Sequence, residues 1–547
     1  MEQETGRTVR VAIRGTGGYL RAKRDTIVLT CRSSRFNTSY GWFNAQLTFF
    51  SQRGLTGDSF IHCRIWIWIF QNDFPLPMRI SESRIIQLEV LRRTKPYDEE
   101  NRTSTSCSNS RLRTNLQMAE STKKKKVCVI GAGAAGLCAA RHFARTLNFE
   151  VKVYEQTKEI GGTWVYKEAI GVDDNDLPVH SSMYRDLRTN LPAKIMNFPD
   201  YQRLIAEEPC CVTHQEVLTY LQNYANHFNL HKYIQFGSRV ESVRLDTSSE
   251  GEERWIVRVK VIKTKEEEEI VFNAVMICNG HFFDPYVPAI RGIENFPGIV
   301  MHSHSYRKPE DFSGKRMFIL GASSSGIDIA LDLVNHATRI YLSHNNERLN
   351  NGLPSNVTEV LGVDRIEGEK IFLKDQSFVT TDVFIFCTGY RYTFPFLNEN
   401  CGIRVDENFV TPLYKHLINV DHPTMCIVGI PTTVIPFPMF HMQVQYFLAL
   451  LEGRASLPAR SIVLEDAKLK TSKKRHAHKL MDKQWAYNDS LAIEGGFDRL
   501  PKFYKLGYDA WSALRKVNLL NYKKARFVVS EDGIAVELIM PSRNRSG

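Results

Sequence analysis

Two short glycine-rich segments have the residue types and spacing to hold phosphate groups. In a GxGxxG turn, the first glycine permits a tight turn, the middle one lets the backbone approach a pyrophosphate, and the last lets the following helix pack closely. Glycine-rich turns also have purely structural uses, so the flanking sequence must decide between the two interpretations. The candidate residues are Gly131, Ala132, Gly133, Ala134, Ala135 and Gly136 in GAGAAG, and Gly321, Ala322, Ser323, Ser324, Ser325 and Gly326 in GASSSG.

The flanking elements are those that a dinucleotide-binding turn requires. VCVI at 127–130 predicts a buried parallel strand before the first turn, and VKVYE predicts a second strand that ends at Glu155, where a carboxylate can bind a ribose hydroxyl. MFIL at 317–320, IDIALDL and RIYLS repeat this strand, helix and strand order around the second turn. The repeat predicts an α/β fold with parallel sheets and two Rossmann-type dinucleotide-binding domains. The helix after the first turn is predicted from an apolar face of Leu137, Ala140, Phe143, Ala144 and Leu147.

The end of the second unit favours NADPH over NADH. RIYLS ends at Ser343, where an NAD-binding site usually carries an acidic residue, and none lies between 338 and 346. Ser343 and His344, with Arg339 or Arg348 nearby, are therefore candidates for binding a 2′-phosphate. A polar surface turn is the alternative.

A second glycine pair follows the first unit. In GGTW, the backbone of Gly162 is small enough to lie close to a flavin, and Thr163 and Trp164 are candidates beside it. A simple glycine turn is the alternative. Together with the first turn, this segment resembles the FAD half of the two-dinucleotide-binding flavoproteins, so FAD is the predicted cofactor there.

The net charge of the chain is concentrated near its beginning. Residues 1–117 hold 18 Lys and Arg against 10 Asp and Glu, which accounts for +8 of the formal +11. This Arg- and Ser-rich extension carries no sustained helical period and no coherent strand ladder, so disorder is expected. An Arg-rich targeting segment or a small domain are the alternatives. We hypothesise that Met118 is a translation start. We expect no nucleic-acid binding, because the extension lacks a recognisable nucleic-acid-binding fold.

Several classes of protein are disfavoured by what the sequence contains. The best candidate for an apolar spanning stretch, 425–440, is broken by three prolines, so no transmembrane anchor is expected. The first residues do not form a secretory signal, so export is not expected either. The eleven cysteines are scattered without CxxC spacing, which argues against disulfides and a metal site. The predicted compartment is the cytoplasm, with peripheral attachment to the endoplasmic reticulum as the alternative.

Near the end of the chain, the alternating pattern FVVSEDGIAVELIM at 527–540 predicts a β-hairpin around an Asp-Gly turn.

One segment between the two turns is characteristic of a known family. FPGIVMHSHSY at 296–306 fits the pattern FxGxxxHxxxY and resembles the identifying motif of the flavin-containing monooxygenases. LRTNLPAKIMNFPDY, CNGHFFDP, FIFCTGY and PLYKHL resemble segments of the same family. The resemblance runs from about residue 123 to the C-terminus and is closer to the soluble invertebrate type, the senecionine N-oxygenase-like enzymes.

The resemblance implies a specific domain order. The FAD domain would comprise 118–290 and 389–547, with the NADP domain, 291–388, inserted into it. The chain would leave the FAD domain near Asn279 and return near Thr388. The substrate would be a small amine or thioether that meets O₂ and the flavin between the domains, and a homo-oligomer is compatible with the sequence.

The implied reaction assigns the difficult chemistry to the cofactor. NADPH would reduce FAD, O₂ would add to form a 4a-hydroperoxyflavin, and its distal oxygen would pass to nitrogen or sulfur, as in an N,N-dimethylaniline-type monooxygenase. Thr189 and Asn190 match the family segment beside the flavin, and Asn190 is the predicted catalytic residue. His302 is expected to have a structural role at the domain linker rather than to act as a base.

Two alternative functions remain at this point. A Baeyer-Villiger monooxygenase uses the same folds, although its motif normally carries Trp where this chain has Tyr306. A non-catalytic flavin-binding interaction protein is the other alternative, with the basic extension bound to an acidic partner. A flavin disulfide reductase is excluded because no cysteine lies between Cys138 and Cys210.

Overall fold

The computed structural model describes residues 124–205, 208–248, 251–349, 352–530 and 532–541, and four strands before them. The chain divides into two compact units, Met1–Glu120 and Ser121–Gly547. In the first unit, Thr8–Arg10 pairs with Val28–Thr30, and Trp42–Thr48 pairs with His62–Trp68, all antiparallel. The expectation of no strand ladder was therefore wrong, because alternating Ile and Trp residues favour a strand. Apart from these four strands, the prediction of disorder, like that of a translation start at Met118, falls on residues outside the described part of the chain.

A seven-stranded sheet forms the centre of the second unit. Its strands lie in the order β10-β11-β12-β4-β1-β2-β3, and those from β12 to β3 are parallel. The strands are β1 (Lys125–Ile130), β2 (Phe149–Tyr154), β3 (Ile234–Gln235), β4 (Ala274–Ile277), β10 (Leu413–Tyr414), β11 (Ile418–Asn419) and β12 (Met425–Ile427).

A five-stranded, fully parallel sheet lies in sequence between β4 and β10. Its strands are β5 (Ile299–His302), β6 (Arg316–Leu320), β7 (Arg339–Ser343), β8 (Val357–Val360) and β9 (Val383–Phe386). They lie side by side in the order β5-β9-β6-β7-β8. The predicted α/β fold with two Rossmann-type domains, one inserted into the other, is confirmed by these sheets.

Eight α-helices are described in the second unit. They are α1 (Ala134–Phe143), α2 (Ala193–Met196), α3 (His214–His227), α4 (Ser324–Asp332), α5 (Pro436–Leu451), α6 (Arg460–Asp466), α7 (Gln484–Gly495) and α8 (Lys502–Val517). α1 ends four residues before Leu147, which is 83% exposed, so Leu147 was wrongly assigned to its apolar face. None of the helices in the described part of the chain has both the length and the apolar character of a membrane-spanning segment.

Smaller sheets complete the second unit. Ser238–Leu245, Trp255–Val261 and Glu267–Phe272 form one antiparallel sheet, and Val363–Glu367, Lys370–Leu373 and Phe378–Thr380 form another. Arg404–Asp406 pairs with Phe409–Thr411. The predicted C-terminal hairpin is confirmed as β13 (Arg526–Val529) paired with β14 (Val536–Ile539).

The cores of the two domains are separate layers of apolar side chains. Side chains of β1, α1, α3 and α5 pack on one face of the seven-stranded sheet. Those of the five-stranded sheet and α4 pack with α8 and the hairpin. Consequently, the C-terminal segment packs against the inserted domain, although the two are far apart in sequence.

Acid is expected to destabilise the fold because many histidines are buried in uncharged form. Burial lowers the pKa of five of them from 6.5 to about 4: His180, His281, His302, His416 and His441. Between pH 6.5 and about 4 the unfolded chain binds protons that the folded chain does not, so the free energy of unfolding falls as pH falls. Each such histidine contributes a slope of up to about 1.4 kcal/mol per pH unit.

The measurement is the urea midpoint of unfolding at pH 7.5, 6.0 and 5.0. We expect it to fall progressively below pH 6.5. A midpoint that stays constant or rises over this range would contradict the burial of neutral imidazoles.

Candidate active site

The first glycine-rich turn joins β1 to α1 and has no room for side chains at its first and last glycines. Gly131 has φ +102°, and a Cβ there would lie 2.6 Å from the carbonyl oxygen of Cys278. A Cβ on Gly136 would lie 1.8 Å from the Gly131 carbonyl oxygen. Gly133 is the N-cap of α1, and no side chain caps this helix end. The turn therefore fits a pyrophosphate, which the N–H groups of an uncapped helix end attract.

Glu155 lies directly beside this turn. Its side chain is buried, and Oε2 accepts a 2.8 Å hydrogen bond from the backbone N–H of Ala132. Oε1 accepts from both the backbone N–H and the hydroxyl of Thr157, at 2.8 Å each. A carboxylate has about four acceptor sites, so these bonds fix its orientation and leave acceptor capacity for a ribose hydroxyl.

The GGTW segment packs against the same turn. The N–H of Gly161 donates to the Ala132 carbonyl at 3.2 Å, and a Cβ on Gly162 would lie 3.1 Å from the Cα of Gly133. Gly162, Thr163 and Trp164 form a single 3₁₀ turn. The structure therefore brings the GGTW segment against the turn at Gly131–Gly136.

The second turn repeats the geometry of the first. Gly321 has φ +114°, and a Cβ there would lie 2.4 Å from the Cys387 carbonyl oxygen. A Cβ on Gly326 would lie 1.7 Å from the Gly321 carbonyl oxygen. Ser323 takes the N-cap position of α4 in extended conformation, and no side chain caps this end either. Ala322, Ser324 and Ser325 complete a second uncapped helix N-terminus.

The two residues predicted to bind a 2′-phosphate already have partners inside the protein. The hydroxyl of Ser343 donates to the Leu361 carbonyl at 2.9 Å, and Ser343 is fully buried. His344 Nδ1 accepts from the N–H of Asn346 at 3.2 Å, and Nε2 donates to Glu359 Oε1 at 2.9 Å. A direct phosphate contact from either side chain would have to replace these bonds.

The two arginines considered for the 2′-phosphate lie at different ends of β7. Arg339 begins β7, whose other end is Ser343, so it lies at the far edge of the sheet from the second turn. Arg348 lies exposed in the loop after β7.

The two chain passages between the domains are joined to each other. Asp284–Pro285 pairs with Tyr390–Arg391, and the N–H of Tyr286 donates to the Gly389 carbonyl at 2.9 Å. His302 Nε2 donates to the same carbonyl at 3.0 Å, and its Nδ1 accepts from the N–H of His304 at 3.0 Å. With both ring nitrogens bonded to backbone, His302 has the contacts of a structural residue at the linker.

Asn190 is held from two sides by the C-terminal segment. Its carbonyl oxygen accepts from Trp511 Nε1 at 2.8 Å, and its side-chain Oδ1 accepts from the hydroxyl of Tyr522 at 3.0 Å. Burial raises the pKa of Tyr522, and Asp328 raises it further, so the hydroxyl remains protonated and donates. Within the described residues, Asn190 Nδ2 has no partner, and its two N–H donors remain available.

Lysine and threonine side chains fix the position of this loop between the domains. Lys523 Nζ donates to the Arg188 carbonyl at 3.1 Å and to Asp328 on α4 at 2.8 Å. The Thr189 hydroxyl donates to the Leu191 carbonyl and accepts from the N–H of Val212. The loop that carries Asn190 is therefore fastened to the helix that follows the second turn.

Trp511 and Tyr522 were missed in the sequence because no local pattern connects them with Asn190. They lie 321 and 332 residues away from it in the chain. An aromatic residue in an amphipathic helix such as α8 is usually a core residue, and only the folded geometry separates this role from simple packing.

Two sheets of mainly parallel strands, each with a glycine-rich turn at an uncapped helix end, define this molecule as a two-dinucleotide-binding protein. Residues 124–351 and 348–494 match the family described as flavin-binding monooxygenase-like. The chain belongs to the flavin-containing monooxygenase family, as its motifs suggested.

Relatives and solved structures agree with this assignment. Flavin-containing monooxygenase FMO GS-OX-like 2 of Arabidopsis thaliana is 34% identical over 411 residues, covering 70% of this chain and 87% of the relative. S-allyl-L-cysteine S-oxygenase from Allium sativum is 33% identical, with a TM-score of 0.68 and coverage of 74% and 96% of the two chains. Tmm from a Pelagibacter strain is 25% identical, with a TM-score of 0.67 and coverage of 76% and 96%.

Proposed function

We propose that this chain uses NADPH and FAD to transfer one oxygen atom from O₂ to the nitrogen or sulfur of a small nucleophile, such as an N,N-dimethylaniline-type amine or a thioether. The other oxygen atom leaves as water, and NADPH leaves as NADP⁺. The observation that carries the proposal is the pair of turns at Gly131 and Gly321, together with the loop of Asn190, which Lys523 joins to Asp328 on α4.

The first turn is the proposed FAD site. The uncapped N-terminus of α1 and the backbone of residues 131–136 would bind the pyrophosphate, Glu155 would bind a ribose hydroxyl, and Gly162 to Trp164 would lie along the flavin. Gly131 and Gly136, which leave no space for a side chain, and the oriented carboxylate of Glu155 fit the pyrophosphate and ribose of FAD. Bound FAD, once reduced by NADPH, supplies the activation of O₂ that no amino-acid side chain provides.

The second turn is the proposed NADPH site. The N-terminus of α4 would bind its pyrophosphate. Ser343 and His344 would shape the loop after β7 through their bonds to Leu361, Asn346 and Glu359, so that Arg348 can reach a 2′-phosphate. The domain boundaries proposed from the sequence, 118–290, 291–388 and 389–547, place the strands of the five-stranded sheet in the central part.

Asn190 is the proposed catalytic residue. Tyr522 occupies its Oδ1, and the two N–H donors of Nδ2 would face the cleft between the domains. These donors would hold the nicotinamide half of the coenzyme or the reacting oxygen in place and limit the entry of water. Thr189 would contribute by fixing the backbone of the loop.

The test is a product analysis with purified protein. We expect a bound flavin, NADPH consumption that depends on O₂, and formation of an N-oxide from N,N-dimethylaniline or a sulfoxide from methyl p-tolyl sulfide. Cyclohexanone serves as the comparison substrate and should give no lactone. A protein without flavin, or one that forms only the lactone, would contradict the proposal.

A further inference from the structure

A group of potential metal ligands lies between α1 and α5, outside the site described above. Cys138 and His142 are four residues apart and so share one face of α1, and His441 faces them from α5. The sulfur of Cys138 and a ring nitrogen from each histidine all lie within 4.8 Å of one another. His142 Nε2 and His441 Nδ1 are 3.1 Å apart.

A carboxylate completes this group. Asp200 Oδ1 lies 3.6 Å from His441 Nδ1, and both carboxylate oxygens are buried without a hydrogen-bond partner. Arg141 is the nearest cation, with Nε 3.5 Å from Oδ2, yet this nitrogen also forms no hydrogen bond. A carboxylate with two buried oxygens and no hydrogen bond from its ion-pair neighbours is costly, which indicates a missing ligand at this position.

We propose that Cys138, His142, His441 and Asp200 bind a divalent metal ion of the zinc class and thereby fasten α1 to α5. One thiolate, two imidazoles and one carboxylate are ligands that zinc accepts in tetrahedral sites. Zn–N distances of about 2.0 Å and a Zn–S distance of about 2.3 Å place tetrahedral ligand atoms roughly 3.3 to 3.8 Å apart. The distances of 3.1 and 3.6 Å are near this range, and the sulfur, which lies within 4.8 Å of both ring nitrogens, has to approach by at most about 1 Å.

The protonation changes on metal binding are defined by the groups present. Cys138 releases its thiol proton to solvent, and the proton shared by the two imidazoles moves to the opposite nitrogen of its ring. Burial lowers the pKa of His142 and His441 and raises that of the Cys138 thiol. The imidazoles are therefore already neutral, and the metal ion has to displace only the thiol proton.

The site would be structural rather than catalytic. Cys138 and His142 are buried, and His441 is 8% exposed, so four protein ligands would leave no open position for a substrate. Because α1 begins at the first glycine-rich turn, the metal ion would stabilise the helix that the proposed FAD site depends on. Its sequence signal is weak because its two helices lie 299 residues apart in the chain.

The first experiment is metal analysis of the flavin-containing protein, expressed with added zinc and purified without a histidine tag or chelator. We expect about one zinc ion per chain, and zinc-edge X-ray absorption should show one sulfur ligand together with nitrogen and oxygen ligands. Zinc well below this ratio, or zinc without a sulfur ligand, would overturn the proposal irrespective of how any variant folds.

Variants then identify the ligands. Cys138→Ser and His441→Gln should each lower zinc affinity at least tenfold, and a chelator should lower the melting temperature of the unaltered protein but not of these variants. Cys426→Ser is the matched control, because Cys426 is also fully buried in this domain but lies outside the group. Equal loss of zinc in the control, or full retention in Cys138→Ser, would overturn the assignment of these ligands.

Discussion

Replacing Gly321 by alanine is expected to leave the protein with bound flavin but to impair its reduction by NADPH. The backbone there has φ +114°, and the new Cβ would lie 2.4 Å from the Cys387 carbonyl oxygen, so the second turn must deform. Backbone strain of this kind costs about 1–3 kcal/mol, which corresponds to a roughly 5- to 150-fold loss of NADPH affinity. The measurement is the anaerobic rate of flavin reduction as a function of NADPH concentration, beside the flavin content.

Two further variants separate the loss of a nucleotide site from general strain. Gly314→Ala has a similar backbone requirement, φ +74°, but its Cβ would have nothing within 4 Å, so reduction by NADPH should stay within a few-fold of normal. Gly131→Ala would place a Cβ 2.6 Å from the Cys278 carbonyl oxygen and should instead remove the flavin. Normal reduction by NADPH in Gly321→Ala, or loss of flavin from that variant, would contradict the assignment of NADPH to the second turn and FAD to the first.

The parts of the fold that were predicted correctly are those encoded by neighbouring residues. VCVI is buried throughout as β1, and the glycine spacing reproduces the turn because Gly131 and Gly136 contact each other within six residues. The hairpin around Asp532 and Gly533 is equally local. Leu147 shows the limit of this reasoning, because the helical pattern continued after α1 had ended.

The site was less predictable because its contacts join distant segments. Ser343 and His344 were proposed from their position at the end of β7. Their partners lie further along the chain: Glu359, which bonds to His344, is in β8, and Leu361, which bonds to Ser343, follows that strand. The role of Asn190 was suggested by family resemblance alone, and the hydroxyl that orients it comes from Tyr522 near the C-terminus. Such pairings depend on how the domains pack, which local periodicity does not encode.

Replacing Asn190 by leucine is expected to separate NADPH consumption from product formation. Leucine has a similar size but lacks both N–H donors, and loss of one positioned donor in an active site typically costs about 10²- to 10³-fold in rate. Oxidised product per NADPH should therefore fall sharply, with hydrogen peroxide released in its place. The measurement is the ratio of sulfoxide or N-oxide to NADPH consumed, together with a peroxide assay.

Tyr522→Phe tests whether the orientation of this amide matters and not only its presence. The variant keeps Asn190 but removes the hydroxyl that occupies its Oδ1, so the amide can rotate and we expect a loss of about fivefold, the value of one ordinary hydrogen bond. Tyr504→Phe is the control, since Tyr504 is an equally buried tyrosine whose hydroxyl donates to the Asn197 carbonyl instead. Equal uncoupling in Tyr504→Phe, or normal coupling in Asn190→Leu, would show that the Tyr522 and Asn190 pair does not control the fate of oxygen. A graded loss, from Tyr504→Phe through Tyr522→Phe to Asn190→Leu, would instead tie coupling to the direction in which the Nδ2 donors point.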